Sequence, residues 1–193
     1  EGNDTIFTSA GNDLVYGEDG EDTLDGGEGN DSLYGGNGND TLTGGTGDDL
    51  ISGGSGKDIL IGNLGSNIYA FNLGDGDDTI KSTIGSFDII QFGEGVFKDN
   101  ISFTREGHNL IVRTSNGADK ITVENWYLGN KLEKILFADG TEMFKEEIHT
   151  KGLVVKGTSL GETLDGEGSE NDVLYGLDGN DTLNGLSGND TLI

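Results

Sequence analysis

Seven aspartates placed nine residues apart, Asp4, Asp13, Asp22, Asp31, Asp40, Asp49 and Asp58, are the side chains of this sequence best suited to chemistry. Each follows a glycine two positions earlier (Gly2, Gly11, Gly20, Gly29, Gly38, Gly47, Gly56), and the series runs on to Gly65 and Asn67. The chain has no cysteine, and its two histidines, His108 and His149, lie outside the series, so the repeated positions offer oxygen only. Carboxylates and backbone carbonyls together are donors for hard cations, calcium above all, and not for zinc or copper. Glycine serves such a turn twice: it takes φ > 0, and it lets carbonyl oxygens converge without side-chain clashes. The competing reading, a merely solvated acidic edge, would not demand glycine at fixed positions.

The elements that must carry these carboxylates are clearest between Gly26 and Ser52, where the nine-residue unit occurs three times without a break. In each copy six glycine-rich residues end in the aspartate, and the next three have an apolar residue at their centre (Leu33, Leu42, Ile51). The expected structure is a six-residue turn followed by a three-residue strand, with the central side chain facing inward. Along the chain the inward positions read Ile6, Val15, Leu24, Leu33, Leu42, Ile51, Leu60 and Tyr69, which makes eight rungs in one register. Stacked rungs form a narrow aliphatic column flanked by oxygen-lined turns. A fixed nine-residue period also favours a solenoid over any other architecture.

The phrase Gly-Gly-x-Gly-x-Asp-x-aliphatic-x resembles the repeats-in-toxin family of calcium-binding nonapeptides. That resemblance implies a parallel β-roll in which strands alternate between two sheets, and ions sit between loops eighteen residues apart. Five sites follow, at Asp4/Asp22, Asp13/Asp31, Asp22/Asp40, Asp31/Asp49 and Asp40/Asp58, with a weakened sixth at Asp49/Asn67. The early copies depart from the pattern at Thr8-Ser9 and Glu18, where glycine is expected. After Gly62 the period falters: Asp78 and Ile80 keep the acid-to-apolar spacing eleven residues beyond Asn67, and Asp88 with Ile90 is a last imperfect rung. The roll is expected to end here, with Tyr69 and Phe71 plugging its open end.

Residues 92–156 have another texture. Ile101 and Phe103, then Leu110 and Val112, alternate on either side of Glu106-Gly107-His108-Asn109, a hairpin pattern. Ile121-Thr122-Val123 leads to Asn125-Trp126-Tyr127, and Ile135 and Phe137 precede a turn at Ala138-Asp139-Gly140-Thr141. Antiparallel strands are expected, with one short helical turn over Met143–Ile148. Trp126 and Tyr127 could stack on a sugar, but burial in the core is the stronger expectation. Phe97 through Met143 resembles the domain that follows nonapeptide blocks in haemolysin-type and related iron-regulated proteins, through Ser102-Phe103-Thr104-Arg105-Glu106-Gly107, Asn109-Leu110-Ile111-Val112, Glu124-Asn125-Trp126 and Phe137-Ala138-Asp139-Gly140-Thr141.

Beyond Lys151 the nine-residue step resumes through Leu164, Asp172/Leu174, Asp181/Leu183 and Asp190/Leu192, with a one-residue slip between Leu164 and Leu174. Glu162 stands in for the first aspartate and Glu170 for a loop glycine, leaving Asp172/Asp190 as one complete pair. The expectation is therefore an all-β chain in three parts: a β-roll with its capping end over 1–91, an antiparallel β-rich region over 92–156, and a second, partial roll over 157–193. The expected metal-site residues are Asp4, Asp13, Asp22, Asp31, Asp40, Asp49, Asp58, Asp78, Asp172, Asp181 and Asp190, with Gly29, Gly38, Gly47, Gly56, Gly179 and Gly188. About five or six calcium ions belong to the first roll and one or more to the second.

Composition narrows the function. With 36 acidic against 11 basic residues the formal charge is −25, which excludes nucleic acid as a partner and disfavours anionic membranes. No apolar run approaches the ~18 residues of a membrane span. The chain opens on Glu1 and stops at Ile193 within a repeat, so a segment of something larger is expected. Five divalent ions would bring the formal charge from −25 to about −15, so the calcium-free repeats are expected to be largely unfolded. The family resemblance adds export through a type I channel and folding in the calcium-rich exterior, secreted or at the bacterial cell surface. It also adds that an enzyme or pore-forming segment often precedes such repeats. Within this chain no serine–histidine arrangement, phosphate loop or zinc signature is visible, Glu146-Glu147 reads as an exposed pair, and no catalysis is expected. A region of an adhesin or toxin that binds a ligand or host cell through residues 92–156 is the alternative. An ice-binding lattice comes last, because the third loop position varies through Asp19, Glu28, Asn37, Thr46, Ser55 and Leu64.

Overall fold

The computed structural model describes residues 1–81, 87–115, 117–129, 132–151, 154–166, 168 and 171–193; Glu170 lies outside them. Each nonapeptide contributes one strand: β1 (Thr5–Phe7), β2 (Leu14–Asp19), β3 (Thr23–Glu28), β4 (Ser32–Asn37), β5 (Thr41–Thr46), β6 (Leu50–Ser55) and β7 (Ile59–Leu64). Odd-numbered strands pair in parallel in one sheet and even-numbered strands in the other, so two repeats make one turn of the roll. The register runs Leu24–Leu42–Leu60 on one side and Val15–Leu33–Ile51 on the other. Leu24, Leu33, Leu42, Ile51 and Leu60 are all wholly buried. Each such side chain contributes roughly 1.5–3 kcal/mol by leaving water.

Strands β2 through β7 are six residues long rather than the expected three. The glycine pairs continue the ladder: Gly27 pairs with Gly45 and Gly36 with Gly54, and the Gly38 amide donates to the Ser55 carbonyl at 2.8 Å. Only glycine permits this approach. A Cβ on Gly38 would collide with the Gly20 carbonyl oxygen, and its φ of 138° is closed to other residues. At two positions where the second glycine of the pair is replaced, the replacement adopts the same left-handed backbone, Glu18 at φ 76° and Asn63 at φ 65°; Ser9, in the first copy, does not.

The roll does not end after Gly62. Strands β8 (Ile68–Phe71), β9 (Asp77–Lys81) and β10 (Ile89–Phe92) extend both sheets, with Leu60 against Ile80 and Tyr69 against Ile90. Tyr69 and Phe71 are therefore interior rungs, not an end plug; the inserted residues are taken up in loops while the ladder holds its alignment. The next segment contributes β11 (Ile101–Glu106), β12 (Asn109–Thr114), β13 (Lys120–Val123), β14 (Lys134–Leu136) and β15 (Glu142–Phe144). The expected hairpin is present, with Glu106 paired to Asn109 across Gly107-His108. Its antiparallel strands continue the roll's own sheets, because β13 lies parallel to β9 and β14 parallel to β10. The helix is α1 (Lys145–Lys151), and Met143 belongs to β15, where pairing with Ile135 holds it extended.

One continuous hydrophobic cluster runs from Val15 to Ile148. It widens where the aliphatic column meets aromatic residues: Phe71, Phe92 and Phe137 are neighbours at centroid distances of 6.3 and 5.8 Å, and Trp126 is wholly buried. Tyr127 packs against the same cluster, beneath the Arg105 guanidinium. Beyond α1 come β16 (Val154–Lys156), β17 (Thr163–Asp165), β18 (Val173–Tyr175), β19 (Thr182–Asn184) and β20 (Thr191–Leu192). Among the described residues, the larger sheet runs β1-β3-β5-β7-β9-β13-β12-β11-β16-β18-β20 and the smaller β15-β14-β10-β8-β6-β4-β2, with β17 and β19 paired separately.

Replacing Glu18 by glycine should raise the melting temperature of the calcium-loaded protein by the equivalent of about 1 kcal/mol, the typical left-handed penalty of a residue with a Cβ. Gly38→Ala should lower it. Thermal unfolding followed by circular dichroism checks both, and a destabilised Glu18→Gly would contradict the strain argument.

Candidate metal centre

The stacked ladders bring the repeated aspartates into two columns, one along each edge of the roll. In every step the backbone amide of one acid donates to Oδ1 of the next acid on the same edge. The first edge carries Asp4 to Asp22 (2.7 Å), Asp22 to Asp40 (2.8 Å), Asp40 to Asp58 (2.8 Å) and Asp58 to Asp78 (3.0 Å). The second carries Asp13 to Asp31 (2.8 Å), Asp31 to Asp49 (2.9 Å), Asp49 to Asn67 (3.0 Å) and Asn67 to Asp88 (2.8 Å). The outer corner has a second ladder in which the Asn12, Asn30 and Asn39 side chains accept amides eighteen residues further on. That explains the Asn-Asp dipeptide of the repeat.

Because Oδ1 is committed to an amide in these steps, Oδ2 faces the other way. In Asp22, Asp31, Asp40, Asp49 and Asp58 this oxygen is buried and has no hydrogen-bond partner among the described residues. The side chains are 1–2% exposed, so water does not compensate. Each orphan oxygen meets the first glycine of its own loop, and in the Asp22, Asp31 and Asp40 loops that glycine also faces the carbonyl of the next loop on that edge. A Cβ on Gly17 would lie 2.6 Å from the Gly35 carbonyl oxygen, and one on Gly26 would lie 2.7 Å from that of Gly44, while each would collide with the loop's Oδ2. Gly166, with Asp172 and the Gly185 carbonyl at 2.8 Å, repeats the arrangement in the second roll. Each is an oxygen-lined cradle kept open by the absence of a side chain. Anionic and carbonyl oxygens buried together without a donor form the donor set of a hard divalent cation.

The structure places the expected residues unequally. Asp22, Asp31, Asp40, Asp49, Asp58, Asp78 and Asp172 are buried, Asp13, Asp181 and Asp190 half-buried, and Asp4 exposed. Gly29, Gly38, Gly47, Gly56, Gly179 and Gly188 occupy the loop corner with φ between 124° and 148°, whereas the carbonyls facing the orphan oxygens come from Gly35, Gly44 and Gly53. Asp58 is an interior step, because Asp78 follows it. The C-terminal roll has a second acid pair beside Asp172/Asp190: the Glu162 amide donates to Asp181 Oδ1 at 3.0 Å.

Sequence spacing did not single out Asp88 or Asp119 as site residues. Asp88 is twenty-one residues from Asn67, and only the β8–β10 pairing restores its alignment. Asp119, from the segment before β13, accepts the Gly74 and Gly76 amides at 3.0 and 3.2 Å and closes the loop above Asp78. No spacing rule reaches forty-odd residues across a change of texture. His108 is exposed and His149 packs against Tyr127, so neither joins the acidic columns. Among the described residues, no three His, Asp or Glu side chains cluster closely enough to form a metal cage.

Burial disfavours the charged form of these carboxyls, and the neighbouring acids add to it. Asp49 and Asp58 are pushed up to about 6 and Asp78 to about 8, with Asp40 and Asp75 also raised. Desolvation is the largest cause in each case; amide donation opposes it, and Coulomb repulsion from the acid one step away reinforces it.

Parallel rungs with oxygen-only turns along both edges define a calcium-binding solenoid, a structural binding class rather than an enzyme class. The family model described as RTX calcium-binding nonapeptide repeat (4 copies) matches residues 1–33, 34–69 and 157–192, more than half the chain. The chain belongs to that family. A second model, haemolysin-type calcium binding protein related domain, matches residues 109–145. Among curated proteins, the chain is similar to iron-regulated protein FrpA of Neisseria meningitidis serogroup C, 36% identical over 105 residues. That match covers 52% of this chain and 9% of the relative, so the chain spans a small part of FrpA's length.

Raised carboxyl pKa values mean that the ion-free fold binds more protons than the unfolded chain. Its stability is therefore fullest below the ordinary aspartate pKa of about 4 and falls as pH rises through about 6 to 8. In chelator, β-structure should increase on acidification from pH 8 to pH 5, while the calcium midpoint should move to higher concentration because protons compete for the same oxygens. Circular dichroism at both pH values, with and without calcium, tests the pair of shifts. A chelated protein that loses structure on that acidification would contradict the assignment.

Proposed function

We propose that this chain is a calcium-folded module of a secreted bacterial protein, an RTX toxin or adhesin, exported through a type I channel while calcium-poor and unfolded. The observation that carries the proposal is the set of buried Oδ2 atoms of Asp22, Asp31, Asp40, Asp49 and Asp58, which have no partner among the described residues. A fold that buries uncompensated anionic oxygens forms only when a cation arrives, so calcium concentration becomes the folding signal. Millimolar calcium outside the cell exceeds the ~10⁻⁴–10⁻³ M affinity such extracellular modules need.

In this reading Asp22, Asp31, Asp40, Asp49 and Asp58 bridge ions to the glycine carbonyls of the next loop. Asp4, Asp13, Asp78, Asp172, Asp181 and Asp190 complete the outer steps, with about five or six ions in the first roll and one or more in the second. Segments 1–91, 92–156 and 157–193 act as roll, closing region and second roll of one assembly. A calcium titration read by far-ultraviolet circular dichroism should show little β-structure in chelator and a cooperative gain near 0.1–1 mM. Asp40→Ala and Asp58→Ala should each shift the midpoint upward by far more than Asp4→Ala. A spectrum unchanged between chelator and millimolar calcium would sink the reading.

One observation favours the alternative of a ligand- or host-cell-binding surface in the middle region. A cleft of about 600 Å³ is lined by Arg105, Arg113 and Lys156 together with Glu106 and Glu162, Arg113 lying 3.6 Å from Glu106. Three of the 11 basic residues of a strongly acidic chain converge there. Binding of carboxylated saccharides by the calcium-loaded chain, lost in Arg113→Ala/Lys156→Ala, would support that role. Equal binding by wild type and variant would remove it.

A further inference from the structure

The Asn67 step departs from every other buried step in one column. Asn67 is wholly buried, and its Oδ1 accepts the Asp49 amide at 3.0 Å, as aspartate Oδ1 atoms do elsewhere. That bond fixes the orientation of the side-chain amide, so Nδ2 takes the place of Oδ2. Among the described residues Nδ2 has no partner. A Cβ on Gly62 would collide with Nδ2, just as a Cβ on Gly26, Gly35, Gly44 or Gly53 would collide with Oδ2 of its own loop's aspartate. The donor that faces the cradle has become an N–H group, which repels a cation.

The space beside Gly62 is also filled. The Tyr69 hydroxyl lies 2.5 Å from where a Gly62 Cβ would sit, the position that the Gly44 carbonyl borders in the Gly26 loop. It accepts the Gly62 amide at 3.0 Å and donates to Asp88 Oδ2 at 3.4 Å. Asp88 Oδ1 meanwhile accepts the Asn67 amide at 2.8 Å. The register explains how the phenol arrives there: Tyr69 occupies the inward position that holds Val15, Leu33 and Ile51 in earlier turns, and only an aromatic side chain reaches from that column to the loop edge.

We propose that Asn67 and Tyr69 together close the Asn67-to-Asp88 step to calcium, the phenol hydroxyl standing where the carbonyl of the next loop stands in the Gly26 loop. This step is then a seam held by protein hydrogen bonds and apolar packing alone, and it stays formed at calcium levels where neighbouring steps open. The vacancy in the acid column falls on the step after Asn67, while Asp49 keeps its own Oδ2 for the step before. The proposal rests on the reading of the orphan carboxylates as calcium ligands.

The test compares wild type with Asn67→Asp/Tyr69→Leu, which restores the regular repeat chemistry at both positions. Ion stoichiometry by calorimetry and by native mass spectrometry should rise by one in the double variant. Tyr69→Phe should leave the stoichiometry unchanged, because Nδ2 still faces the cradle, but should speed hydrogen exchange of the Gly62 amide by up to about tenfold, the effect of losing one hydrogen bond. In wild type under graded chelation, the Gly62 amide should remain protected after those of Asp31 and Asp40 have exchanged. An unchanged ion count in a folded double variant overturns the proposal. If the double variant does not fold, an unchanged Gly62 exchange rate in Tyr69→Phe overturns it equally. Wild type that binds no calcium would overturn the calcium reading itself, a failure distinct from either of these.

Discussion

The structure depends on a conflict between backbone stacking and charge. Parallel rungs about 4.8 Å apart satisfy every ladder and align the aliphatic column, but the same stacking puts one carboxylate above another along each edge. Amide donation to Oδ1 accommodates half of each carboxylate. The other half, the buried Oδ2 set, remains without a donor among the described residues. Burying one such group without compensation is costly, and repeating it along two edges makes the ion-free stack unfavourable as a whole. In the proposed reading, a divalent cation in each open cradle offsets that cost and couples metal binding to folding.

Glycine is what makes the conflict soluble. At Gly17, Gly26 and Gly35 the missing Cβ opens the cradle beside Oδ2 to a carbonyl of the next loop, while other glycines of the loop, such as Gly27 and Gly29, take the left-handed φ that turns it. The same absence lets rungs close to ladder distance through the Gly-Gly pairs, which is why strand and turn overlap in the six-residue strands. Polypeptide that elsewhere would be a loop is here part of the sheet. The glycine content that looks like flexibility in the unfolded chain is tight packing in the folded one.

A stack of this kind has edges, and unpaired parallel strands invite further pairing. The segment after β10 answers this for the two growing ends by continuing both sheets, then reversing direction through the β11–β12 hairpin and the β14–β15 pair. Phe92, Phe137 and Trp126 broaden the column where it would otherwise meet solvent. Asp119 supplies the amide-accepting carboxylate above the Asp78 loop. The region that reads as a separate texture is thus continuous with the roll in sheet and in core, and β11 passes the larger sheet on to β16 and the second set of repeats.

Periodicity by itself determined a stacked solenoid, its inward column from Val15 to Leu60 and its oxygen-lined turns, because a strict nine-residue repeat maps each position to one environment; the alternation between two sheets and the eighteen-residue pairing of the acids came from the resemblance to the repeats-in-toxin family. Periodicity also located the β11–β12 hairpin, whose alternation and Gly107 turn are local signals. Tertiary structure decided what local spacing does not encode. Insertions moved Asp78 and Asp88 to twenty and twenty-one residues from their partners, yet strand pairing, which counts hydrogen bonds and not residues, returned them to the columns. Tyr69 read as a terminal plug because its size alone was visible; the hydroxyl acts through a loop seven residues back, and only the fold brings the two together. Asp119 and the glycine carbonyls belong to the same class. Their role comes from position across the stack, which a linear repeat implies for its regular members and leaves open for every residue that breaks it.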